Sequence, residues 1–136
     1  MTDAERIVAS FIEAWNARDL EGILAHFAPD AVYHNIPMEP LTGIAAIREG
    51  LEGFVGMATN IDWQVHASAD AGDGRVLNER LDRFEIGGRW LEIPVMGIFE
   101  ILDGRIIAWR DYFDLAQFQK QLAEIGGARA AAEGNA

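Results

Sequence analysis

The sequence contains no cysteine, which excludes disulfide bonds, thiolate nucleophiles and cysteine-based metal sites. Basic residues are also scarce: 11 Lys and Arg stand against 22 Asp and Glu, giving a formal net charge of -11. A surface of that charge repels nucleic acid backbones and anionic lipid headgroups, so we expect neither nucleic acid nor membrane partners. No apolar run reaches membrane-spanning length, and the first ten residues do not resemble a secretory leader. We therefore expect a cytoplasmic protein.

Several motifs with known chemistry are missing as well. The sequence has no G-x-S-x-G nucleophile elbow, no G-x-G-x-x-G loop and no P-loop. Its three histidines are scattered and form neither H-x-x-x-H nor H-E-x-x-H, which argues against a zinc site. We expect a protein that works without a metal ion or an organic cofactor.

The length of 136 residues suits one compact domain. Half of the residues are hydrophobic and 24% are charged, so the chain has enough apolar side chains for a substantial core. We expect a single domain over residues 1–125. The remaining segment, GGARAAAEGNA, has little to bury, and we expect residues 126–136 to fray into a disordered tail.

Apolar residues at helical spacing predict four helices. Thr2 and Glu5 form a capping box at the start of the first, and Asp19 caps a short second helix that runs to about Phe27. A third helix is predicted from about Gly43 to Met57. A fourth begins after Asp114 and ends at Gly126-Gly127.

The hydrophobic period changes from 3.6 to 2 after Asn60. There, apolar residues alternate with polar ones, as in a half-buried strand, at Ile61, Trp63, Val65 and Ala67. Turn signals at 70–74, 87–88 and 103–104 separate further strands near 75–86, 89–102 and 105–113, and a short strand is predicted at 31–36.

This order of elements predicts an α+β fold. Helices come first, then strands joined by short turns, then one more helix. We expect a strongly curved, mixed and mostly antiparallel sheet that wraps around the N-terminal helices as a cystatin-like cone with a closed interior.

Polar residues lie on the apolar faces of three predicted strands. Arg80 and Asp82, together with Asn78, share a face with Val76, Phe84 and Ile86. Asp111 shares a face with Ile107, Trp109 and Phe113, while Tyr33 and Asn35 share a face on the first strand. Same-face neighbours on a strand are roughly 6.5–7 Å apart, so each set can converge on one small object.

Buried charges need partners, and one arginine can serve two carboxylates. Arg80 between Asp82 and Asp111 would leave a net charge of -1 if both acids were ionised, so one carboxyl should keep its proton. One acid beside one base suits push–pull proton transfer. A purely structural Arg–Asp clamp would give the same pattern. The arginine between the acids argues against a carboxylate-only magnesium site.

The other polar and aromatic residues favour ordinary structural roles. We expect His34 to be structural, and His26 and His66 to be solvated. The four tryptophans fit a core or its rim better than a cofactor site.

Three separated segments resemble the limonene-1,2-epoxide hydrolase family. They are Tyr33-x-Asn35, the segment ERLD with Arg80-x-Asp82, and the run GRIIAWRDYFDLAQF around Asp111. The resemblance covers about residues 4–122 in the same order. It implies the cone-shaped fold that this family shares with ketosteroid isomerase, scytalone dehydratase and nuclear transport factor.

The resemblance also implies an activity: hydrolysis of an epoxide to a vicinal diol without a covalent enzyme intermediate or a cofactor. It assigns Asp111 as the general base that activates water, held together with Tyr33 and Asn35. Asp82 is then the acid that protonates the epoxide oxygen, and Arg80 bridges the two acids.

Apolar positions near the aspartates are candidates for the substrate pocket. They are Phe84 and Phe113, each two residues after an aspartate, Ile93 and Val95 on the neighbouring strand, and Ile12, Trp15 and Phe54 on helices. The bulk of Trp15 and Phe54 departs from the family pattern. The resemblance implies a small, apolar, cyclic epoxide as the substrate, and this departure argues against limonene oxide as the physiological one.

Two alternatives remain open at this point. One is an isomerase or aldol-type cyclase of the same fold, which would not need an arginine joining two aspartates. The other is a non-catalytic, dimeric module that binds small molecules. The family resemblance also implies a homodimer, with Leu77, Leu81 and Leu91 as candidates for an apolar outer face of the sheet.

Overall fold

The computed structural model describes residues 1–134, which form four helices and six strands. The helices are α1 (Asp3–Asn16), α2 (Leu20–Leu24), α3 (Ile44–Met57) and α4 (Leu115–Gly134). The strands are β1 (Phe27–Asn35), β2 (Leu41–Thr42), β3 (Asn60–Gly72), β4 (Arg75–Ile86), β5 (Arg89–Leu102) and β6 (Arg105–Tyr112).

The six strands form one curved, open sheet in the order β2-β1-β6-β5-β4-β3. Strands β3 to β6 are an antiparallel meander, and β2 pairs antiparallel with β1. Strand β1 pairs in parallel with β6, which makes the sheet mixed. The predicted α+β class with a mostly antiparallel sheet is confirmed.

The helices begin as the sequence predicts. The Thr2 hydroxyl accepts a hydrogen bond from the Glu5 backbone N–H at 3.2 Å, and Asp19 caps α2 by accepting from the Gly22 N–H at 3.0 Å. Helix α2 is shorter than predicted, however, and ends at Leu24. Phe27 instead begins β1, because it pairs with Ile106 of β6 and buries its ring from the strand.

Helix α4 is longer than predicted. The expected end at Gly126-Gly127 is wrong, because the helix continues through both glycines to Gly134. A helical glycine costs only about 1 kcal/mol relative to alanine, and the alanine-rich segment that follows favours helix. The predicted fraying of residues 126–136 stays a prediction, and residues 135–136 lie outside the described part of the chain.

Two β-bulges change which side chains face the core. In β3 an extra residue at His66 ends the predicted alternation and turns Ala67 to the outer face, where it pairs with Glu79. Ile61 and Trp63 are buried as predicted, whereas Val65, which pairs with Arg80 ahead of the bulge, is exposed. In β6 an extra residue at 107 has the same effect. Ile106 rather than the predicted Ile107 is fully buried, since Ile101 pairs with Ile106 and Glu100 with Ala108.

The core lies between the inner face of the sheet and the helices. Helix α1 buries Val8, Phe11, Ile12 and Trp15 against it, and α3 buries Ile47, Leu51 and Val55. Aromatic rings fill the centre: Phe11 meets Trp109 edge to face, with ring centroids 4.9 Å apart. In residues 1–134 no helix is both long and apolar enough to cross a membrane.

Two of the three histidine predictions agree with the structure. His34 is anchored to the Met38 carbonyl at 2.9 Å, and His66 is exposed. His26 is not solvated as predicted. It is half-buried, with Nδ1 2.6 Å from the Gly22 carbonyl oxygen and Nε2 2.9 Å from the Ser10 hydroxyl. These contacts tie the turn that precedes β1 to α1 and α2.

Candidate active site

Arg80 lies at the centre of the site and is completely buried. Its Nε and Nη2 donate to the two carboxylate oxygens of Asp82, each at 2.9 Å. Nη2 also donates to Asp111 Oδ2 at 2.8 Å. One guanidinium therefore joins two aspartates from strands that are not adjacent, as the sequence analysis predicted.

The alternation of β4 explains why these charges are buried. Asn78, Arg80 and Asp82 occupy successive inward positions on that strand, between Val76 and Phe84. Strand β5 separates β4 from β6, and its inward position between Asn78 and Asp111 is Gly97. Arg80 reaches Asp111 across this glycine. No pattern in the sequence singles out Gly97, because its place in the site depends on strand register.

The second oxygen of Asp111 has its own donor. The indole Nε1 of Trp109 donates to Asp111 Oδ1 at 2.7 Å. Each oxygen of this carboxylate thus accepts a hydrogen bond from a buried donor, which fixes the orientation of the carboxylate. The Trp109 contact is a second feature that the sequence did not predict, because its pattern placed the tryptophans in the core or at its rim.

Tyr33 and Asn35 lie beside Asp111 because β1 runs parallel to β6. In this register Tyr33 is opposite Trp109, and Asn35 is opposite Asp111. The Tyr33 hydroxyl donates to Asn35 Oδ1 at 3.0 Å. This bond orients the amide so that its Nδ2 remains available as a donor for another group.

These polar groups open onto a cavity of about 450 Å³, within the range of sites that hold small molecules. Four of them line it: Tyr33, Asn35, Asp82 and Asp111. Of the predicted pocket residues, six line the cavity: Trp15, Phe54, Phe84, Ile93, Val95 and Phe113.

Ile12 is the exception among the predicted pocket residues. It is buried in the core and is not part of the cavity lining. Helical spacing places it on the buried face of α1 beside Trp15 but does not say which neighbour faces the cavity. The lining also includes residues that the sequence analysis did not predict: Met38, Glu39, Leu41, Gly50, Leu51, Trp63 and Phe118. They come from the β1–β2 connection, β2, α3, β3 and α4, which meet only in the folded chain.

Burial perturbs both acids. It raises the pKa of Asp82 from 3.8 to about 6, against the lowering effects of the Arg80 charge and hydrogen bonds. Burial also raises the pKa of Asp111, against the charge and hydrogen bond of Arg80 and the hydrogen bond from Trp109. Because one arginine balances only one of two buried carboxylates, the cluster favours a state with a single shared proton.

The other two titratable groups keep fixed protonation states. Burial raises the pKa of Tyr33, and the nearby charge of Asp111 raises it further, so its phenol stays neutral. Burial lowers the pKa of Arg80, but the two aspartates outweigh that effect and the net shift is upward. The site thus holds a permanent cation, a neutral phenol, and two carboxyls that can exchange roles as acid and base.

Comparisons with known proteins agree with this geometry. A family model for the limonene-1,2-epoxide hydrolase catalytic domain matches residues 2–124. The chain is 34% identical over 118 residues to epoxide hydrolase EphG of Mycobacterium tuberculosis (strain ATCC 25618 / H37Rv), covering 85% of this chain and 76% of that protein.

Solved structures support the same relationship. The structure of an M. tuberculosis LEH-like epoxide hydrolase superimposes with a TM-score of 0.78 at 31% identity, covering 96% of each chain. A putative SnoaL-like polyketide cyclase from Shewanella putrefaciens CN-32 has a TM-score of 0.79 at 17% identity, covering 91% of this chain and 98% of that one. The second likeness shows the fold alone.

The match over residues 2–124 spans the helices and strands that build the cavity and carry both aspartates. It disfavours the isomerase, cyclase and binding-module alternatives that the sequence left open. The chain belongs to the limonene-1,2-epoxide hydrolase family and is an epoxide hydrolase.

Proposed function

We propose that the protein adds water directly to a small, apolar, cyclic epoxide to give a vicinal diol, without a cofactor or a covalent intermediate. The observation that carries this proposal is that the buried Arg80 joins Asp82 and Asp111, and both aspartates line a mostly apolar cavity. A strained epoxide ring needs only an activated water on one side and a proton on its oxygen. An acid and a base in one cluster supply both.

Asp111 is the base in this proposal. Its carboxylate takes a proton from water, and Tyr33 and Asn35 hold that water against it. Trp109 and Arg80 stabilise the ionised form with hydrogen bonds of 2.7 and 2.8 Å. The water oxygen attacks a ring carbon, so one C–O bond forms as the epoxide C–O bond breaks.

Asp82 is the acid. Its raised pKa of about 6 keeps a useful fraction protonated near neutral pH. As the ring opens, this proton passes to the epoxide oxygen, so the leaving group departs as a hydroxyl. After turnover Asp111 holds a proton and Asp82 is ionised. Transfer of that proton from Asp111 back to Asp82 through bound water, beside the Arg80 guanidinium that contacts both carboxyls, restores the starting state.

The lining of the cavity indicates the substrate class. Apart from the polar groups of the site and Glu39 at an exposed position, the residues around it are apolar or aromatic. Trp15 and Phe54 both line the cavity, and their bulk reduces the space left for a substrate. A neutral epoxide with an apolar ring fits this lining, and the physiological substrate is proposed to differ from limonene oxide.

The outer face of the sheet supports a homodimer. Met96 and Tyr112 are paired across β5 and β6 and are 45% and 50% exposed. Leu77 and Leu81 of β4, on either side of Glu79, lie on the same outer face and are half-buried. The predicted candidate Leu91 is wrong, because it is fully buried in the core. We propose that a second copy of the chain covers this face.

The first experiment measures diol formation from a panel of limonene oxide, cyclohexene oxide, styrene oxide and one bulky lipid epoxide, without added metal or cofactor. Wild type is compared with Asp111→Asn. We expect turnover by wild type and its loss in a variant that still melts cooperatively. A folded wild type that converts none of these epoxides would contradict the proposed substrate class. Equal turnover by Asp111→Asn would contradict its role as base.

Oxygen-18 water separates direct addition from a covalent route. In a single turnover, direct addition puts the label into the diol and leaves every aspartate unlabelled. Label found in Asp82 or Asp111 by peptide mass spectrometry would instead show an ester intermediate.

A further inference from the structure

The position of Arg80 depends on two residues that lie behind it and do not line the cavity: Asn78 and Gly97. They face each other as partners on β4 and β5. Asn78 Oδ1 accepts a hydrogen bond from Arg80 Nη1 at 2.8 Å.

Gly97 leaves the space that the guanidinium occupies. A Cβ on Gly97 would overlap Arg80 Nη1, and would lie 2.7 Å from Asp111 Oδ1 and 3.1 Å from Asn78 Oδ1. Arg80 has no room to yield, because its side chain is fully buried and its donors are held by Asn78, Asp82 and Asp111. Any side chain at position 97 would therefore force Arg80 and Asp111 apart.

Asn78 supplies the acceptor for Nη1, the guanidinium nitrogen that donates to neither aspartate. Its side chain is 2% exposed, and its Nδ2 has no hydrogen-bond partner within residues 1–134. Within residues 1–134, the side-chain amide of Asn78 therefore makes one hydrogen bond, which its Oδ1 accepts from Arg80. An amide suits this place because it accepts a hydrogen bond without adding a third negative charge to the two aspartates.

We propose that Gly97 and Asn78 are positioning residues that hold Arg80 across β5, so that one guanidinium reaches both Asp82 and Asp111. The kinetic part of this proposal rests on the proposed function. The geometric part does not, since it concerns the contact between Arg80 and Asp111.

The test compares Gly97→Ala and Asn78→Ala with wild type and with Gly53→Ala, a control on α3. An added Cβ at Gly53 meets no atom within 4 Å. Two measurements are made on each protein: kcat and KM on an epoxide that wild type converts, and titration of the aspartate carboxyl carbons by carbon-13 NMR. The NMR titration does not depend on activity, so it decides the proposal even if wild type converts no epoxide.

We expect Gly97→Ala to lower kcat by about 100-fold and Asn78→Ala by about 10-fold, in the range of lost electrostatic positioning. KM should change less than twofold, because neither residue touches the cavity. With Arg80 displaced, the Asp111 carboxyl should titrate at higher pH than in wild type. Gly53→Ala should match wild type throughout.

A folded Gly97→Ala protein with wild-type kcat and unchanged aspartate titrations would overturn the proposal. If Gly97→Ala does not fold, Asn78→Ala decides, since it removes atoms and creates no overlap. Unchanged titrations and kcat in that variant would likewise overturn the proposal. A KM increase with kcat unchanged would also do so, because it would show an effect on binding instead of on Arg80.

Discussion

The phenol ring of Tyr33 lies flat on the indole of Trp109, with ring centroids 4.1 Å apart and an interplanar angle of 10°. Each ring ends in a hydrogen-bond donor directed along its strand: the Tyr33 hydroxyl to Asn35 and the Trp109 Nε1 to Asp111. The stack therefore sets the distance between the proposed water-holding amide and the proposed base. The packing of these two rings thus positions the hydrogen-bonding groups of Asn35 and Asp111.

Trp109→Phe should lower the fraction of Asp111 that is ionised while keeping an aromatic ring in the stack. Without the indole N–H, Asp111 loses a donor to its carboxylate, so its pKa rises and less of it is ionised at low pH. We expect the acidic limb of the pH–rate profile to move up by about one pH unit. The control is Trp90→Phe, because Trp90 packs over Arg83 away from the site. An unmoved acidic limb would show that the indole donor does not tune Asp111.

Asp82→Asn should remove the proton donor without removing the fold. We expect kcat to fall by about 10²–10⁴, the usual contribution of a general acid. The matched control is Asp62→Asn, which breaks a comparable Arg–Asp pair with Arg83 in a much more exposed place. Thermal melts by circular dichroism check both proteins. Wild-type turnover by a folded Asp82→Asn protein would exclude this residue as the acid.

The pH dependence follows from the raised pKa of Asp82. The acid works only when protonated, and its pKa is about 6, so kcat/KM should fall as pH rises above about 6. Well above that value the decline approaches about tenfold per pH unit. At low pH the rate should also fall, because Asp111 must be ionised and its pKa is raised by burial. A flat profile between pH 5 and 8 would contradict the assignment of a buried acid and base.

Met96→Asp should disrupt the proposed dimer. A carboxylate placed at this exposed apolar position would have to be desolvated in a self-paired interface, beside its own copy. We expect sedimentation to show a dimer for wild type and a monomer for the variant. Val65→Asp is the control, because Val65 is similarly exposed but lies on β3 at the sheet edge. Wild type sedimenting as a monomer at micromolar concentration would rule the interface out.

The sequence was most informative where alternation runs without interruption. Strand β4 alternates from Val76 to Ile86, so the inward placement of Arg80 and Asp82 could be predicted from residue parity. Asp111 was also placed correctly, because the β6 bulge lies before it. The same bulge made the assignment of Ile107 wrong. An extra residue in a strand leaves no mark in hydrophobic periodicity, so only pairing with the neighbouring strand reveals it.

Features that depend on which residues pair across neighbouring strands could not be predicted from the sequence. Gly97 has no side chain to attract attention, and it matters only because it pairs with Asn78 on one side and Asp111 on the other. The exclusion of Ile12 from the cavity lining could not be predicted either. It depends on how α1 is rotated against the sheet, and helical spacing fixes the buried face only to within a residue or two.

The parallel pairing of β1 with β6 also constrains how the protein folds. Asn35 and Asp111 become neighbours only when β1 pairs with β6. Asp111 does not need that step to meet Arg80, because short turns join β4, β5 and β6 and bring the two residues together within the meander. Pairing β1 with β6 closes a much longer stretch of chain, which is entropically expensive and slow. We therefore expect the cluster of Arg80 and its two aspartates to assemble before Tyr33 and Asn35 reach it, so that the proposed water-holding half of the site is completed last.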